Sequence, residues 1–79
     1  MKVTLYTRQR CHLCEDAQRV IEAARARAEF EFERIDIDAD PQLRRLYNDE
    51  APVVAIDGKK AFKYWVTMEE LLKKLSARS

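Results

Sequence analysis

The alternation of hydrophobic and polar positions changes its period along the chain, and each period predicts a different element. Residues 3–7 form a β-branched and aromatic run, which predicts a strand buried on both faces. Over 13–28 the apolar residues recur every three or four positions, which predicts an amphipathic helix. A second strand is predicted over 30–37, where apolar and charged residues alternate but the phase shifts after Phe32. Either Phe30 belongs to the junction before this strand, or a bulge interrupts it.

Short-range signals predict a short helix next. Asp40 followed by Pro41 is typical of a helix start with the aspartate as N-cap, and Asn48 is the predicted end. Leu43 and Leu46 give this helix one apolar side.

A β-hairpin and a closing helix are predicted after it. Residues 53–56 and 60–65 are strand-like runs, and Asp57-Gly58 between them favours a tight turn. Thr67 opens a Thr-Met-Glu-Glu capping box, which predicts the start of the last helix. The leucines that follow have helical spacing, so this helix is expected to pack on the sheet.

The predicted order is therefore β-α-β-α-β-β-α, an α/β fold with a four-stranded mixed sheet and three helices. The first two strands must be parallel because a helix joins them, whereas the last two are antiparallel. A chain of 79 residues leaves no room for a second core, so 1–79 is expected to be a single domain.

Composition and charge narrow the possible functions. The chain is 47% hydrophobic and 37% charged, which is typical of a globular protein. Its formal net charge of +1 favours neither nucleic acid nor a membrane surface as partner. No apolar run is long enough to span a bilayer, and Met1-Lys2 leads directly into a strand, so a cytoplasmic location is expected.

The candidate chemistry lies in Cys11 and Cys14, at the point where the first strand gives way to the first helix. A thiol at a helix start faces unpaired N–H groups and the positive end of the helix dipole, which favour thiolate. We therefore expect Cys11 to be the nucleophile, with a pKa in the roughly 3.5–7.5 range of such thiols. Cys14 lies one turn on, where it can resolve a mixed disulfide. The alternative is half of a zinc site, but zinc needs four ligands and the chain adds only His12.

The order of elements, with C-x-x-C after the first strand and a proline opening the third, resembles the thioredoxin fold and most closely its glutaredoxin-like branch. The resemblance covers the whole chain. The residues that carry it are Tyr6 and Arg8, the pair Cys11 and Cys14, the strand end Ile35-Asp36-Ile37-Asp38, and Ala51-Pro52-Val53-Val54 leading to Asp57-Gly58.

This resemblance implies roles for residues outside the cysteine pair. Pro52 is expected to be a cis proline beside the sulfurs, with the Ala51 backbone free to pair with an extended substrate. Arg8 is expected to bind a substrate carboxylate, and Thr67 stands where the family places a polar helix cap at the substrate site. Arg10 joins Arg8 in supplying positive charge near the thiolate.

Two stretches depart from the family pattern. Glutaredoxins usually carry Pro-Tyr or Pro-Phe between the cysteines, whereas this chain has His12-Leu13. His12 either helps to stabilise the thiolate when protonated or is an exposed first-turn side chain. Glutathione-binding relatives usually carry Gly-Gly before the last helix, where this chain has Tyr64-Trp65, which weakens a glutathione site without excluding it. At least one of these aromatic side chains is expected in the core.

Two functions remain open at this stage. The first is a small thiol–disulfide oxidoreductase that acts as a monomer on a disulfide-containing protein or a small-thiol substrate. It would need no resident cofactor, and its dithiol would be restored by glutathione or by a thioredoxin-reductase-like enzyme. The second is a non-catalytic glutaredoxin-like binding module that holds an iron–sulfur cluster or a metal at a protomer interface.

Overall fold

The strands and helices follow one another in the predicted order. We describe them from a computed structural model, whose described residues are 1–47 and 50–77. A 3-10 helix, Ile37–Ala39, is the one addition to the predicted elements within those residues. The bounds are β1 (Lys2–Thr7), α1 (His12–Ala24), β2 (Glu31–Asp36), α2 (Pro41–Tyr47), β3 (Val53–Ile56), β4 (Lys59–Lys63) and α3 (Met68–Ala77).

The four strands form one mixed sheet with the order β2-β1-β3-β4. β1 is parallel to β2 and antiparallel to β3, and β3 is antiparallel to β4. β1 therefore lies inside the sheet, where Val3, Thr4, Leu5 and Thr7 are all buried. This burial confirms the prediction of a strand with two covered faces.

The phase shift in the second strand has a simple origin. Residue pairing between β1 and β2 runs without interruption from Lys2 opposite Glu31 to Thr7 opposite Asp36. Phe30 precedes β2, so it belongs to the junction and no bulge interrupts this strand pair. The register shift of the sheet lies instead between β3 and β4.

One face of the sheet packs against α1 and α3 to form the main core. α1 ends at Ala24, one turn earlier than its apolar pattern predicts. The chain tightens there, because the N–H groups of Ala26 and Arg27 donate to carbonyls three residues back, at 3.2 and 2.9 Å. Buried core residues are Val3, Leu5, Ala17, Ile21, Ala24, Val54, Ile56, Val66, Leu71 and Leu75.

Side-chain caps start the two later helices as predicted. Asp40 Oδ1 accepts hydrogen bonds from the N–H groups of Gln42 and Leu43, at 2.9 and 3.4 Å. Thr67 Oγ1 accepts from the Glu70 N–H at 3.2 Å. These bonds satisfy N–H groups that have no partner inside a helix. The predicted end of α2 at Asn48 lies outside the described residues.

The hairpin turn is confirmed, but β4 ends earlier than predicted. Asp57 and Gly58 both have positive φ, 51° and 87°, which a two-residue type I′ turn requires. β4 ends at Lys63 because the chain turns there: Tyr64 has φ 73° and the Trp65 N–H donates to the Lys63 carbonyl at 2.9 Å. In the stretches 1–47 and 50–77, no helix has the length and apolar character needed to cross a membrane.

Candidate redox site

Cys11 and Cys14 form a disulfide at the first turn of α1. Cys11 is the N-cap, with an extended backbone (φ −117°, ψ 106°), and its Sγ accepts a hydrogen bond from the Cys14 N–H at 3.1 Å. The sulfur thus occupies the place that an Asp, Ser or Thr oxygen takes at other helix starts. A reduced Cys11 would be stabilised there as thiolate by the same N–H group and by the helix dipole.

The two sulfur-bearing residues differ in exposure. Cys11 is partly exposed, whereas Cys14 is only 2% exposed and packs into the fold. A substrate disulfide can therefore approach Cys11 from solvent but cannot reach Cys14 in the same way. This asymmetry matches the different roles that the sequence suggests for the two residues.

The loop between β1 and Cys11 is held by Asp38, whose contact with this loop no sequence pattern predicts. Arg8 Nη2 lies 3.2 Å from Asp38 Oδ1, and Arg8 Nε donates to Asp38 Oδ2 at 3.5 Å. This hydrogen bond to Arg8 is the main reason that the pKa of Asp38 lies below its ordinary value. The carboxylate bound by Arg8 is thus one of the chain's own, and binding of a substrate carboxylate stays a prediction.

The other two basic residues near the dithiol, Arg10 and His12, are both exposed to solvent. Arg10 is exposed and has φ 56°, in the left-handed region. The His12 side chain is 99% exposed, with its Nδ1 3.8 Å from Glu15 Oε2. Of the two interpretations of His12, the structure favours the exposed first-turn side chain. A role for Arg10 or His12 in tuning the thiol stays a prediction.

The Ala51–Pro52 peptide bond is cis, as the resemblance implies. Tyr6 of β1 pairs with Val53 of β3, so Pro52 lies at the same end of the sheet as the loop that leads to Cys11. The expectation of a free Ala51 backbone is wrong for its N–H. That group already donates to the carbonyl of Tyr47, the last residue of α2, at 3.2 Å, so it is not available to a substrate strand.

The predicted burial of one residue of the Tyr64-Trp65 pair is wrong. Tyr64 is 36% exposed and Trp65 is 66% exposed. The turn that ends β4 takes both residues out of the strand, so the packing on this strand falls to Ala61 and Phe62 instead. The turn is also tied to the site, since the Tyr64 N–H donates to the Pro52 carbonyl at 2.8 Å.

Thr67 stands at the start of α3, where its hydroxyl caps the helix. The side chain is exposed, and any contact with a substrate stays a prediction. Leu13, between the two cysteines, is also exposed.

A second ion pair supports the segment before the cis proline. Lys60 Nζ lies 2.7 Å from Glu50 Oε1, and Lys63 Nζ lies 3.8 Å from the same oxygen. The hydrogen bond between Lys60 and Glu50 lowers the pKa of Glu50 and raises the pKa of Lys60. The positions are ten residues apart, on a loop and an edge strand, so no sequence spacing points to this pair.

These two ion pairs predict a loss of stability in acid. Asp38 and Glu50 have folded-state pKa values below their ordinary 3.8 and 4.5, so their contribution is complete above those values and is lost as the pH falls through the folded values. The melting temperature should therefore fall below about pH 4. The double variant Asp38→Asn/Glu50→Gln should melt lower at pH 7 and show a shallower fall. Glu31→Gln, which removes an exposed carboxylate at the start of β2, is the matched control, and equal pH profiles for all three proteins would contradict the assignment.

The described residues contain no group of three or more His, Cys, Asp and Glu side chains arranged to hold a metal ion. Residues 1–47 and 50–77 of one chain thus do not assemble a metal site by themselves. A metal or cluster bound through the cysteines would need ligands from elsewhere.

The mixed sheet, the C-x-x-C disulfide at the start of α1 and the cis proline before β3 define a thioredoxin-fold protein with a dithiol site. Residues 2–76 match the family model described as Glutaredoxin-like domain (DUF836). The chain belongs to this glutaredoxin-like family of the thioredoxin superfamily.

Solved structures agree with this assignment. The chain is 33% identical to target protein XcR50 from X. campestris, with a TM-score of 0.79, covering 95% of this chain and 96% of that one. It is 32% identical to protein Ne2328 from Nitrosomonas europaea, with a TM-score of 0.77 and coverage of 92% and 88%. A third neighbour is NrdH-redoxin from Escherichia coli, at 25% identity, a TM-score of 0.66 and 95% coverage of both chains. No match is found among curated proteins.

Proposed function

We propose that this protein is a thiol–disulfide oxidoreductase that reduces disulfides in proteins or mixed disulfides with small thiols. The observation that carries the proposal is the asymmetry of the pair: a partly exposed Cys11 at the helix N-cap, and a buried Cys14 directly behind it. A structural disulfide needs no such difference. A nucleophile and a resolving thiol do, because only the first meets the substrate.

The reaction begins from the reduced dithiol. The Cys11 thiolate attacks one sulfur of the substrate disulfide, and a mixed disulfide forms while the other substrate sulfur leaves as thiolate. Cys14 then loses its proton and attacks Cys11 Sγ, which forms the Cys11–Cys14 disulfide and releases the second substrate thiolate. Both substrate thiolates take up protons from water. The substrate gains two electrons, and the protein is left in the disulfide form that the structure shows.

Other residues would shape the approach of the substrate. Pro52 lies at the same sheet end as Cys11, and the Tyr64 turn is hydrogen-bonded to its carbonyl. Thr67 follows this turn at the start of α3. We assign Pro52 and the carbonyl group of Ala51 to the substrate groove, and we place Thr67 and Arg8 at its margins.

The electron donor is proposed to be a thioredoxin-reductase-like enzyme or glutathione, in the cytoplasm. NrdH-redoxin is described as a glutaredoxin-like protein with a thioredoxin-like activity profile, and such a profile in a similar protein supports a thioredoxin-type electron donor for this chain. The Tyr64-Trp65 turn, in place of the usual Gly-Gly, points the same way.

The test is a reduction assay on a model protein disulfide with three electron sources. Dithiothreitol, NADPH with thioredoxin reductase, and NADPH with glutathione and glutathione reductase are supplied in parallel. We expect catalysis with dithiothreitol and with at least one enzymatic system. Protein purified without oxygen is analysed for iron, sulfide and zinc and for visible absorbance. A coloured, metal-loaded dimer without disulfide reductase activity would replace the proposal with the binding-module function.

A further inference from the structure

Asp38 contacts two consecutive residues of the loop that leads to Cys11. Its carboxylate contacts the Arg8 guanidinium through two nitrogen atoms, at 3.2 and 3.5 Å, and also accepts a hydrogen bond from the Gln9 backbone N–H. Two consecutive residues of the loop are thus held by one carboxylate. The loop continues through Arg10 directly into the N-cap cysteine.

The topology of the sheet explains why Asp38 reaches this loop. β1 and β2 are parallel, and their last residues, Thr7 and Asp36, are paired. The residues that follow the two strands therefore emerge side by side at one end of the sheet. Asp38 is fixed there by the 3-10 helix, in which Ile37 is fully buried and the Asp38 N–H donates to Asp36 Oδ1 at 2.9 Å.

The loop needs such support. Arg10 has φ 56°, a conformation that is unfavourable for a non-glycine residue and persists only where neighbouring contacts fix it. The Asp38 contacts lie immediately before this residue. They therefore help to set the position from which Cys11 enters α1.

The same contacts place the negative charge of Asp38 next to the Arg8 guanidinium. Arg8 is three residues before Cys11, so their Cα atoms are at most about 11 Å apart, a range over which charges act on a thiolate at low salt. An uncompensated guanidinium would stabilise the thiolate. With Asp38 in contact, its negative charge offsets part of the positive charge of Arg8, and the same Asp38 Oδ1 also lies 3.8 Å from Arg44 Nε of α2.

We propose that Asp38 is a positioning residue for Cys11, which holds the 8–10 loop and offsets the Arg8 charge, and thereby keeps the Cys11–Cys14 pair more reducing than its basic loop alone would make it. The inference rests on the proposed function, because a more reducing pair is an advantage for a disulfide reductase. The physical link is that a stabilised thiolate stabilises the reduced form, which raises the reduction potential.

The test is a charge cycle of four proteins: wild type, Asp38→Asn, Arg8→Gln and the double variant. Asp38→Asn keeps an oxygen acceptor for the loop but removes the negative charge, so the pKa of Cys11 should fall by about 0.5. Arg8→Gln should raise it by a similar amount, and the double variant should return close to wild type. Glu31→Gln, which removes an exposed carboxylate at the opposite end of β2, should leave it unchanged.

Two measurements give the answer without any substrate. The pKa is obtained from the pH dependence of Cys11 alkylation in the reduced protein at low ionic strength, about 20 mM. The reduction potential is obtained at pH 8 from equilibrium with a dithiothreitol redox buffer. The Asp38→Asn pair should be about threefold easier to reduce, which corresponds to about 14 mV at 29.6 mV per tenfold change.

Opposite signs for the two single variants separate the proposal from a merely structural role. If Asp38 only stabilised the fold, both variants would shift the thiol in the same direction or not at all, and either result overturns the proposal. If Asp38→Asn fails to fold, as judged by its circular dichroism, Asp38→Ser takes its place in the cycle, because it also removes the negative charge and should likewise lower the pKa of Cys11. Failure of the proposed function is distinguishable, because an inactive protein can still show the shifts and an active one can lack them.

Discussion

Cys14→Ser should convert the reaction into a covalent capture of substrate. Cys11 can still attack, but the serine hydroxyl cannot displace the bound partner, so without a small thiol a mixed disulfide should accumulate and turnover with NADPH and thioredoxin reductase should fall to the uncatalysed rate. The adduct is measured by non-reducing electrophoresis and intact mass, at one substrate thiol per protein. Dithiothreitol should reduce this mixed disulfide and release the substrate.

Cys11→Ser is the control for this experiment, since it leaves only the buried thiol. No adduct and no turnover are expected from it. Adducts at Cys14 in the Cys11→Ser protein, or full turnover by Cys14→Ser, would contradict the assignment of attacking and resolving roles.

The largest effect on stability is expected at Ile21. This side chain is fully buried on the inner face of α1 and belongs to the core with Leu5 and Leu71. Ile21→Ala removes three carbon atoms and leaves a cavity, which costs about 2–5 kcal/mol. A domain of this size is stable by only roughly 4–12 kcal/mol, so the variant loses a large part of its free energy of unfolding.

Urea denaturation of the oxidised proteins measures this loss. The midpoint should fall while the slope of free energy against urea stays the same. Leu46→Ala is the matched control, because Leu46 is 63% exposed on α2 and its truncation should change the free energy by less than about 0.5 kcal/mol. Equal losses at both positions would show that the two helices do not contribute to the core as described.

The parts of the fold that the sequence predicts are those with local signals. The Asp40 and Thr67 caps and the turn at Asp57-Gly58 each depend on residues within four positions of one another, and each forms as expected. The cysteine pair is placed equally well, because its spacing and its position after a strand are both local. Only the family resemblance, and no local signal, indicates the cis bond at Pro52.

The parts that sequence reasoning missed depend on contacts between distant residues. Asp38 meets Arg8 across 30 positions only because two parallel strands end together. The Ala51 N–H is engaged by the end of α2, which no pattern in the sequence shows. Trp65 is a large apolar residue, and its exposure follows from the backbone turn at Tyr64 rather than from its hydrophobicity.

The hairpin turn at Asp57-Gly58 lies at the opposite end of the sheet from the Cys11–Cys14 pair. It is bonded to the start of β1, since the Asp57 N–H donates to the Lys2 carbonyl at 2.8 Å and the Lys2 N–H donates to Asp57 Oδ1 at 2.9 Å. β1 has six residues, so about 16 Å of strand separates this turn from the loop that carries Cys11. The dithiol and the hairpin turn therefore lie at opposite ends of the sheet. A fluorophore, an affinity tag or a surface anchor attached near the turn would report on or immobilise the protein while its dithiol faces away.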